Sequence, residues 1–327
     1  MPESASRRLL VIRRDNIGDL ILTTPLLLAL RREMPEAWIG VLTNHYCAPV
    51  LAGHPAVDEL FVYQKAKHLD PGESRLGAYW SRLAMVLKLR GMNLDDALIP
   101  ATGNQASAER FARWVAPRRV LRGSEAAGEH EAEKSFALAR EYGIAGPPPA
   151  CLIRADSGDA ALARATLPAA LRGRPLVGLH LSARRPAQRW PLESFVKVAR
   201  DLAGEGYGVL LFWSPGAADN PRHPGDDAKA AALLRECAGL AVAPVATQRL
   251  EQLITGLDLC DSVICADGGA MHVAAGLGKK IVCLFGDSPA QRWHPWGPSY
   301  ELLQPPSRQV ADIAPAEVLA AHARLPA

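Results

Sequence analysis

Three short polar segments of this sequence carry side chains that can do chemistry, and each follows a short apolar run. The first segment holds Asn16, Gly18 and Asp19, just after the apolar residues 9–12. Asp19 is predicted to lie in the first turn of the helix that follows a turn at Gly18, where the helix dipole stabilises a carboxylate. A carboxylate there is also suited to remove a proton from a hydroxyl group. The segment has one glycine and carries an acid, so it does not match a phosphate-binding fingerprint.

The second segment contains Asp267, Gly268, Gly269 and His272, and it follows the apolar residues 262–266. Adjacent glycines allow a ligand to come close to the backbone. A helix that begins there directs free N–H groups and its positive dipole end at an anion. The pattern therefore predicts a pyrophosphate site. Asp267 either orients the loop or holds a ligand hydroxyl, and His272 either packs or donates to phosphate.

The third segment, residues 182–191, contains Ser182 and three arginines, of which Arg189 is the last. A planar guanidinium group matches phosphate oxygens and keeps its charge, although a basic loop can equally be a solvated one. Trp213, towards the end of the next apolar run, is predicted to line the nucleobase pocket. In contrast, the glycine-rich residues 204–208 precede a strand instead of following one, so they do not indicate a nicotinamide cofactor.

These segments need elements that bring them to the edge of a sheet. Ten apolar runs alternate with amphipathic helical patterns, which predicts parallel sheets with helices on both faces. The predicted strands are residues 9–13, 37–43, 59–63, 95–100, 119–123, 175–182, 208–214, 241–245, 262–267 and 280–286, and the predicted helices include 81–90, 106–115, 192–203 and 228–237. In doubly wound sheets, ligands bind beyond the carboxyl ends of the strands. All three segments fall at such ends.

The chain of 327 residues is longer than one core usually serves, so two domains are expected. Three prolines at 147–149 interrupt any regular element, and the alternation of strands and helices restarts soon after them. We therefore expect an amino-terminal domain of residues 1–155 and a carboxy-terminal domain of residues 156–327. A last helix, residues 314–323, can pack back across the first domain.

Composition excludes several classes of protein. The net charge of +3 is too small to indicate a nucleic-acid-binding protein. No apolar run reaches the ~20 residues that span a bilayer, and the amino-terminal run is too short for a signal-peptide core, so a cytoplasmic location is expected. The six cysteines form no Cys-x-x-Cys pair, which favours small, reduced core residues over metal ligands or disulfides.

Three stretches together carry a family resemblance: RRDNIGDLILTTPLLLAL near the start, RWPLESFVKVARDL in mid-chain and LDLCDSVICADGGAMHVAAGLGKKIVCLFG towards the end. They resemble glycosyltransferase family 9, the ADP-heptose:lipopolysaccharide heptosyltransferases, in order over nearly the whole chain. The resemblance implies the GT-B fold, an α/β architecture of two Rossmann-like, doubly wound domains facing a central cleft. It also implies inversion at the anomeric carbon without a metal or another cofactor.

The resemblance also assigns roles to residues. Asp19 corresponds to the family's general base. Arg189 corresponds to the basic residue that contacts the donor's phosphates, where many members carry lysine. Residues 267–272 correspond to the donor-binding segment, in which some members have Thr or Ser at the position of Gly268. The donor-side candidates are thus Ser182, Arg189, Trp213, Asp267, Gly268, Gly269 and His272, and the acceptor-side candidates are Asn16, Gly18, Lys65 and Lys67. The two lysines lie in a basic loop that either meets an anionic acceptor or is solvated.

The substrates follow from the same resemblance. The donor is expected to be an ADP-sugar, with heptose as the sugar, and the acceptor an anionic glycolipid of the lipopolysaccharide core. Such an acceptor implies peripheral contact with the inner membrane, although no amphipathic anchor is evident in the sequence. Two alternatives stay open. One is a GT-B sugar-nucleotide epimerase, which needs no acceptor, and the other is a nucleotide-binding protein without catalysis.

Overall fold

The computed structural model describes residues 6–63, 75–220 and 225–326. The chain divides into two compact units, Met1–Ile153 and Arg154–Ala327. This division lies two residues before the boundary expected from the sequence. Lys65 and Lys67 lie outside the described residues.

The first unit contains a sheet of five parallel strands in the order β3-β2-β1-β4-β5. Its strands are β1 (Arg8–Ile12), β2 (Trp38–Asn44), β3 (Glu59–Tyr63), β4 (Asp96–Ile99) and β5 (Arg119–Arg122). Its helices are α1 (Ile17–Ile21), α2 (Thr24–Glu33), α3 (Arg75–Gly91), α4 (Ala106–Val115) and α5 (Glu131–Phe136). β1 lies at the centre and is buried along Leu9–Ile12, because it has a strand on each side and helices on both faces.

The second unit contains six parallel strands in the order β11-β10-β9-β6-β7-β8. Its strands are β6 (Leu176–His180), β7 (Gly208–Trp213), β8 (Val242–Ala246), β9 (Ser262–Ala266), β10 (Lys280–Leu284) and β11 (Tyr300–Leu303). Its helices are α6 (Ser157–Ala165), α7 (Leu192–Gly204), α8 (Asp227–Glu236), α9 (Leu250–Asp258), α10 (Gly269–Gly276), α11 (Ala290–Trp293) and α12 (Pro315–Arg324).

Both sheets follow the strand order typical of Rossmann folds, with the direction of winding reversed between β1 and β4 and between β6 and β9. At each reversal the loops after two adjacent strands diverge and leave a crevice at the carboxyl edge of the sheet. The loop after β1 leads into α1, which holds Asp19, and the loop after β9 holds Asp267. The fold class predicted from the sequence is confirmed.

All ten predicted strands are present, but the sequence missed β11. This strand is short, is only partly buried, and pairs with a single neighbour, β10. An edge strand of this kind carries little of the apolar signal that marks a central parallel strand. The helix predicted at residues 81–90 is also longer than expected and begins at Arg75.

The last helix, α12, packs on the second unit, against α7, β10 and β11. Its buried residues Val318 and Ala321 belong to the same core as Val198 and Leu202 of α7. The helix therefore covers one face of the second sheet. Among the helices in the described ranges, none is both long and apolar enough to cross a membrane.

Trp190 is the largest fully buried side chain of the second unit. Its Nε1 donates to the carbonyl of Ile313 at 2.9 Å, and its ring meets Phe195 edge to face with the centroids 4.9 Å apart. Because Ile313 lies just before α12, the indole joins the start of α7 to the segment that leads into the last helix.

We expect Trp190→Ala to lower the free energy of unfolding of the second unit by about 3–5 kcal/mol, since it opens a cavity and leaves the Ile313 carbonyl without its donor. Urea unfolding followed by circular dichroism measures the change. Trp114→Ala is the matched control, because Trp114 is 44% exposed, and it should shift stability by no more than about 0.5 kcal/mol. Equal losses of unfolding free energy in the two variants would contradict the role of Trp190 in joining α7 to the segment before α12.

Candidate active site

The loop after β1 is organised around the buried side chain of Arg13. Its Nη2 donates to Asp19 Oδ1 and to Glu131 Oε1, both at 2.8 Å. Its Nε lies 3.2 Å from Asp15 Oδ2, and its Nη1 lies 3.4 Å from Ser135 Oγ. One guanidinium group thus connects the end of β1 with α1 and α5, and the carboxylates of Asp19 and Glu131 lie on the same nitrogen.

Asp19 lies in the first turn of α1, as the sequence predicts. Its Oδ2 accepts from the backbone N–H of Asn16 at 3.1 Å and from Asn16 Nδ2 at 2.9 Å. Asn16 is the N-cap residue, so Asp19 belongs to a capping box. The helix begins at Ile17, and Gly18 is therefore inside it instead of forming the turn before it. The expected turn at Gly18 is wrong by about two residues, because the Asn16–Asp19 pair already caps the helix.

The carboxylates around Arg13 keep its buried guanidinium group charged. Burial alone would lower the pKa of Arg13, but the carboxylates of Asp19 and Glu131 raise it above its ordinary value. Burial also raises the pKa of Asp15, while the positive charge of Arg13 opposes that shift. The guanidinium therefore stays charged and holds Asp19 in a fixed orientation, with 11% of the Asp19 side chain exposed.

Glu131 is a site residue that the sequence analysis missed. It is the first residue of α5, after the N-cap residue His130, whose Nδ1 accepts from the N–H of Ala132 at 3.1 Å. Glu133 completes that cap by accepting from the N–H of His130 at 3.0 Å. This His-x-x-Glu spacing can indicate where a helix starts. It cannot show that the helix begins beside a residue 118 positions earlier.

In the second unit, a cluster forms around Asp267 after β9. Asp267 Oδ2 accepts from Gln188 Nε2 at 2.8 Å and from Ser288 Oγ at 2.5 Å. Gln188 follows β6, and Ser288 follows β10, so the cluster joins three loops at the carboxyl edge of the sheet. A Cβ atom at Gly286 would lie 2.3 Å from the carbonyl oxygen of Ala187. The glycine is therefore needed for the close approach that brings Gln188 and Ser288 together.

The Gly268–Gly269 pair begins α10, with Gly268 as its N-cap. The first N–H groups of a helix have no partner within the helix, and the dipole makes this end positive. A Cβ atom at Gly268 would meet no atom within 4 Å, so the space beside it is open. His272 lies one turn further on and is buried, with its ring 6.3 Å from that of Trp293 in an edge-to-face arrangement. Gly268 and Gly269 thus lie where an anion can reach the helix end. His272 packs against Trp293, and its contact with phosphate stays a prediction.

Ser182 and Trp213 hold the neighbouring loops in place. Ser182 Oγ donates to Asp226 Oδ2 at 2.6 Å and accepts from the N–H of Ser214 at 2.9 Å, which ties the loops after β6 and β7 together. The indole of Trp213 belongs to the core, and its Nε1 donates to Asp227 at 2.7 Å. For both residues the structure shows a structural role, and contact with the nucleotide stays a prediction.

Arg189 is exposed, and its Nε donates to the carbonyl of Ala183 at 3.2 Å. Lys229 is half-buried nearby, with its Nζ bound to the carbonyl of Trp190 at 2.7 Å and 4.6 Å from the ring centroid of Phe195. Burial lowers the pKa of Lys229, Asp226 opposes this shift, and the charge of Arg189 lowers the pKa further. Two cations therefore lie close together beside the loop after β6, and the sequence analysis identified only the first.

No group of three or more His, Cys, Asp and Glu side chains in residues 6–63, 75–220 and 225–326 is placed to hold a metal ion. The six cysteines all lie in the described residues, where they are buried and form no disulfide. Burial raises the pKa of Cys151 to about 12, so that thiol remains protonated at neutral pH.

The sequence model of glycosyltransferase family 9 (heptosyltransferase) matches residues 97–313, which is about two thirds of the chain. The chain belongs to glycosyltransferase family 9. The matched residues include the Asp267 cluster, Gly268 and Gly269 as well as Arg189, whereas Asp19 lies before them.

Individual relatives of this family 9 chain agree with that assignment. Lipopolysaccharide heptosyltransferase 2 of Salmonella typhimurium is 28% identical over 306 residues, which cover 86% of this chain and 83% of that protein. The structure of a family 9 glycosyltransferase from Veillonella parvula superposes with a TM-score of 0.81 at 19% identity, covering 97% and 96% of the two chains. ADP-heptose lipopolysaccharide heptosyltransferase II of Escherichia coli gives a TM-score of 0.76 at 22% identity, covering 97% of each. The two structures share the fold of this chain.

Replacing Glu131 tests whether the Arg13 network stabilises this family 9 enzyme. We expect Glu131→Gln to lower the free energy of unfolding by about 1–3 kcal/mol, because the buried Arg13 charge loses one of its compensating carboxylates. Urea unfolding of the first unit measures the loss. Glu129→Gln, an exposed residue two positions earlier, is the control and should change stability by at most about 0.5 kcal/mol. If both variants are as stable as the wild type, the ion pair of Glu131 with Arg13 does not stabilise the site.

Proposed function

We propose that this chain is an inverting, metal-independent heptosyltransferase that moves heptose from an ADP-sugar to an acceptor of the lipopolysaccharide core. The observation that carries the proposal is the geometry of Asp19, a carboxylate fixed by Arg13 and Asn16 at the carboxyl edge of the first sheet. Family membership supports glycosyl transfer, and the names of the relatives support ADP-heptose and lipopolysaccharide as substrates.

Asp19 acts as the general base in this proposal. Each carboxylate oxygen can accept two hydrogen bonds. Oδ2 accepts two from Asn16, while Oδ1 accepts one from Arg13 and retains room for another. Oδ1 would receive the proton of the acceptor hydroxyl as that oxygen attacks the anomeric carbon. Positioned proton transfer of this kind contributes about 10²–10⁴ in rate.

The second unit supplies the groups for the leaving ADP. As the new bond to the anomeric carbon forms, the bond from that carbon to the diphosphate oxygen breaks, and its electron pair leaves with ADP. The N–H groups at the start of α10 and the guanidinium of Arg189 would stabilise the growing negative charge. Lys229, close to Arg189, adds a second positive charge. These cations would take the place of a metal ion at the diphosphate.

The Asp267 cluster has a supporting role in the proposal. Both donors, Gln188 and Ser288, converge on Oδ2 of Asp267, so this carboxylate fixes the loops after three strands. The start of α10 is thereby held open for the diphosphate before the donor arrives. Such preorganisation is what makes hydrogen-bond donors effective on developing charge.

Asp19→Asn tests the general base. We expect the variant to transfer sugar at a rate lower by about 10²–10⁴, because an amide cannot take the proton, while ADP affinity measured by calorimetry stays within about twofold. The matched control is Asp159→Asn, which replaces an exposed acid in the first turn of α6 and keeps that helix capped by Asp156. If Asp19→Asn transferred sugar at the wild-type rate, Asp19 would not be the general base.

The donor is tested by calorimetric titration of ADP, UDP and GDP. We expect ADP to bind best, and Arg189→Gln to weaken ADP binding by about tenfold while adenosine binding stays unchanged, because a charge-assisted bond to phosphate is lost. Arg200→Gln is the control, since Arg200 is an exposed arginine of α7 that binds Glu236. Tight UDP binding without a response to ADP would overturn the assignment of the donor.

A further inference from the structure

Helix α3 of the first unit presents large apolar side chains to solvent. Tyr79 is 67% exposed, Trp80 66%, Leu87 60% and Leu83 38%. Tyr79, Leu83 and Leu87 follow each other at intervals of four residues, and Trp80 lies beside them, so the four side chains form one stripe. We call these four residues the α3 stripe. Exposed apolar residues are common when scattered singly, but a contiguous stripe on one helix indicates a docking surface.

The α3 stripe is not the face by which the helix packs. Val86 and Leu89 are buried and belong to the core of the first unit, with Phe111 of α4 in the same cluster. The helix therefore has two apolar faces, one in the core and one in solvent. A helix of a globular protein needs only the first of these for its own stability, so the second face requires another explanation.

Helix α4 extends the α3 stripe. Trp114 is 44% exposed and lies across a shallow groove of about 260 Å³ from Tyr79 and Leu83. Arg82 and Arg90 line the same groove. Aromatic side chains, aliphatic side chains and guanidinium groups thus occupy one continuous surface.

The charged residues of α3 itself are all basic. The α3 sequence RLGAYWSRLAMVLKLRG contains four basic residues and no acidic one. Lys88 is paired with Glu59 of β3, so its charge is partly balanced. Arg110 and Arg113 of α4 are exposed and add further positive charge. The surface is therefore both apolar and basic, a combination that suits an anionic surface with an apolar interior.

We propose that the α3 stripe and Trp114 dock the enzyme on an anionic lipid bilayer. Tyrosine and tryptophan side chains favour the interface between lipid headgroups and acyl chains, and arginine favours anionic headgroups. A second copy of this chain is a poorer occupant, because docking through this face would bring two basic, acid-free helices together. No amphipathic anchor is evident in the sequence, because α3 has apolar residues on nearly every side and its exposed stripe is distinguishable only in the structure.

The position of this surface fits the proposed function, on which this inference partly rests. The ring of Tyr63, at the end of β3, lies 4.4 Å from the guanidinium of Arg82 and 5.1 Å from that of Arg14. Arg14 lies in the loop after β1, and its Nη2 also donates to Ser107 of α4 at 3.0 Å. The bilayer-facing helices are thus connected directly to the loop that leads from β1 into α1, the helix of Asp19. A glycolipid held in the bilayer would present its sugar on this side of the first unit.

The test is flotation of the full chain with two kinds of vesicle, one of phosphatidylcholine alone and one with about one third phosphatidylglycerol. We expect binding to the anionic vesicles, weakened by high salt. The double variant Trp80→Ser/Leu87→Ser should reduce that binding by about tenfold or more. Leu162→Ser is the matched control, because Leu162 of α6 is 65% exposed but lies in the second unit, and it should bind as the wild type does.

The outcomes distinguish a lipid bilayer from a second copy of the chain as the partner of the α3 stripe. Wild-type vesicle binding by the double variant, or no vesicle binding by the wild type, would overturn the proposal. So would a dimer in sedimentation velocity that the double variant dissociates. Vesicle binding is measured without donor or acceptor, so it remains informative if no sugar transfer is found. Transfer to an acceptor stripped of its acyl chains should be unchanged in the double variant, which separates docking from catalysis and from misfolding.

Discussion

The buried guanidinium of Arg13 is the interaction on which the first unit's site depends. A charge removed from water is tolerated only when opposite charges and hydrogen bonds surround it. Arg13 meets this requirement by drawing Asp19 from α1 and Glu131 from α5 to one of its nitrogens. The loop after β1 and the start of α5 therefore cannot move independently without exposing an uncompensated charge. The precise orientation of Asp19 is a consequence of this electrostatic demand.

In the second unit the organising group is an anion instead of a cation. There the carboxylate of Asp267 collects donors from Gln188 and Ser288, and the loops after β6, β9 and β10 are fixed as a result. In both units the charged group that organises the site is joined to the end of a central strand, where the sheet is most rigid. The polar loops around it are held by these few convergent hydrogen bonds. The strand order explains where the sites lie, and the charged clusters explain why they keep their shape.

The sequence predicted what is encoded locally and missed what is assembled over distance. Asp19 and Asp267 could be found because each follows an apolar strand and precedes a helix, and that arrangement is visible in a few consecutive residues. Glu131 could not, because nothing near it indicates that its helix begins beside Arg13. Likewise, Gln188 is an ordinary polar residue until the approach of Gly286 to Ala187 brings it to Asp267.

The α3 stripe shows a second limit of prediction from the sequence. Periodicity identifies which residues of a helix are apolar, but on α3 apolar residues occur on two faces, and only packing shows that Val86 and Leu89 enter the core while Trp80 and Leu87 do not.

Asp19 also shows that capping a helix and accepting a proton need not be alternatives. As the third residue of α1 it accepts from Asn16 through Oδ2, which satisfies the helix start. This leaves Oδ1 as the oxygen that faces Arg13, with room for a further donor. The cap holds one oxygen and so orients the other. The structural role is therefore a condition of the proposed chemical one, because an aspartate free to rotate would present either oxygen at random to the acceptor hydroxyl.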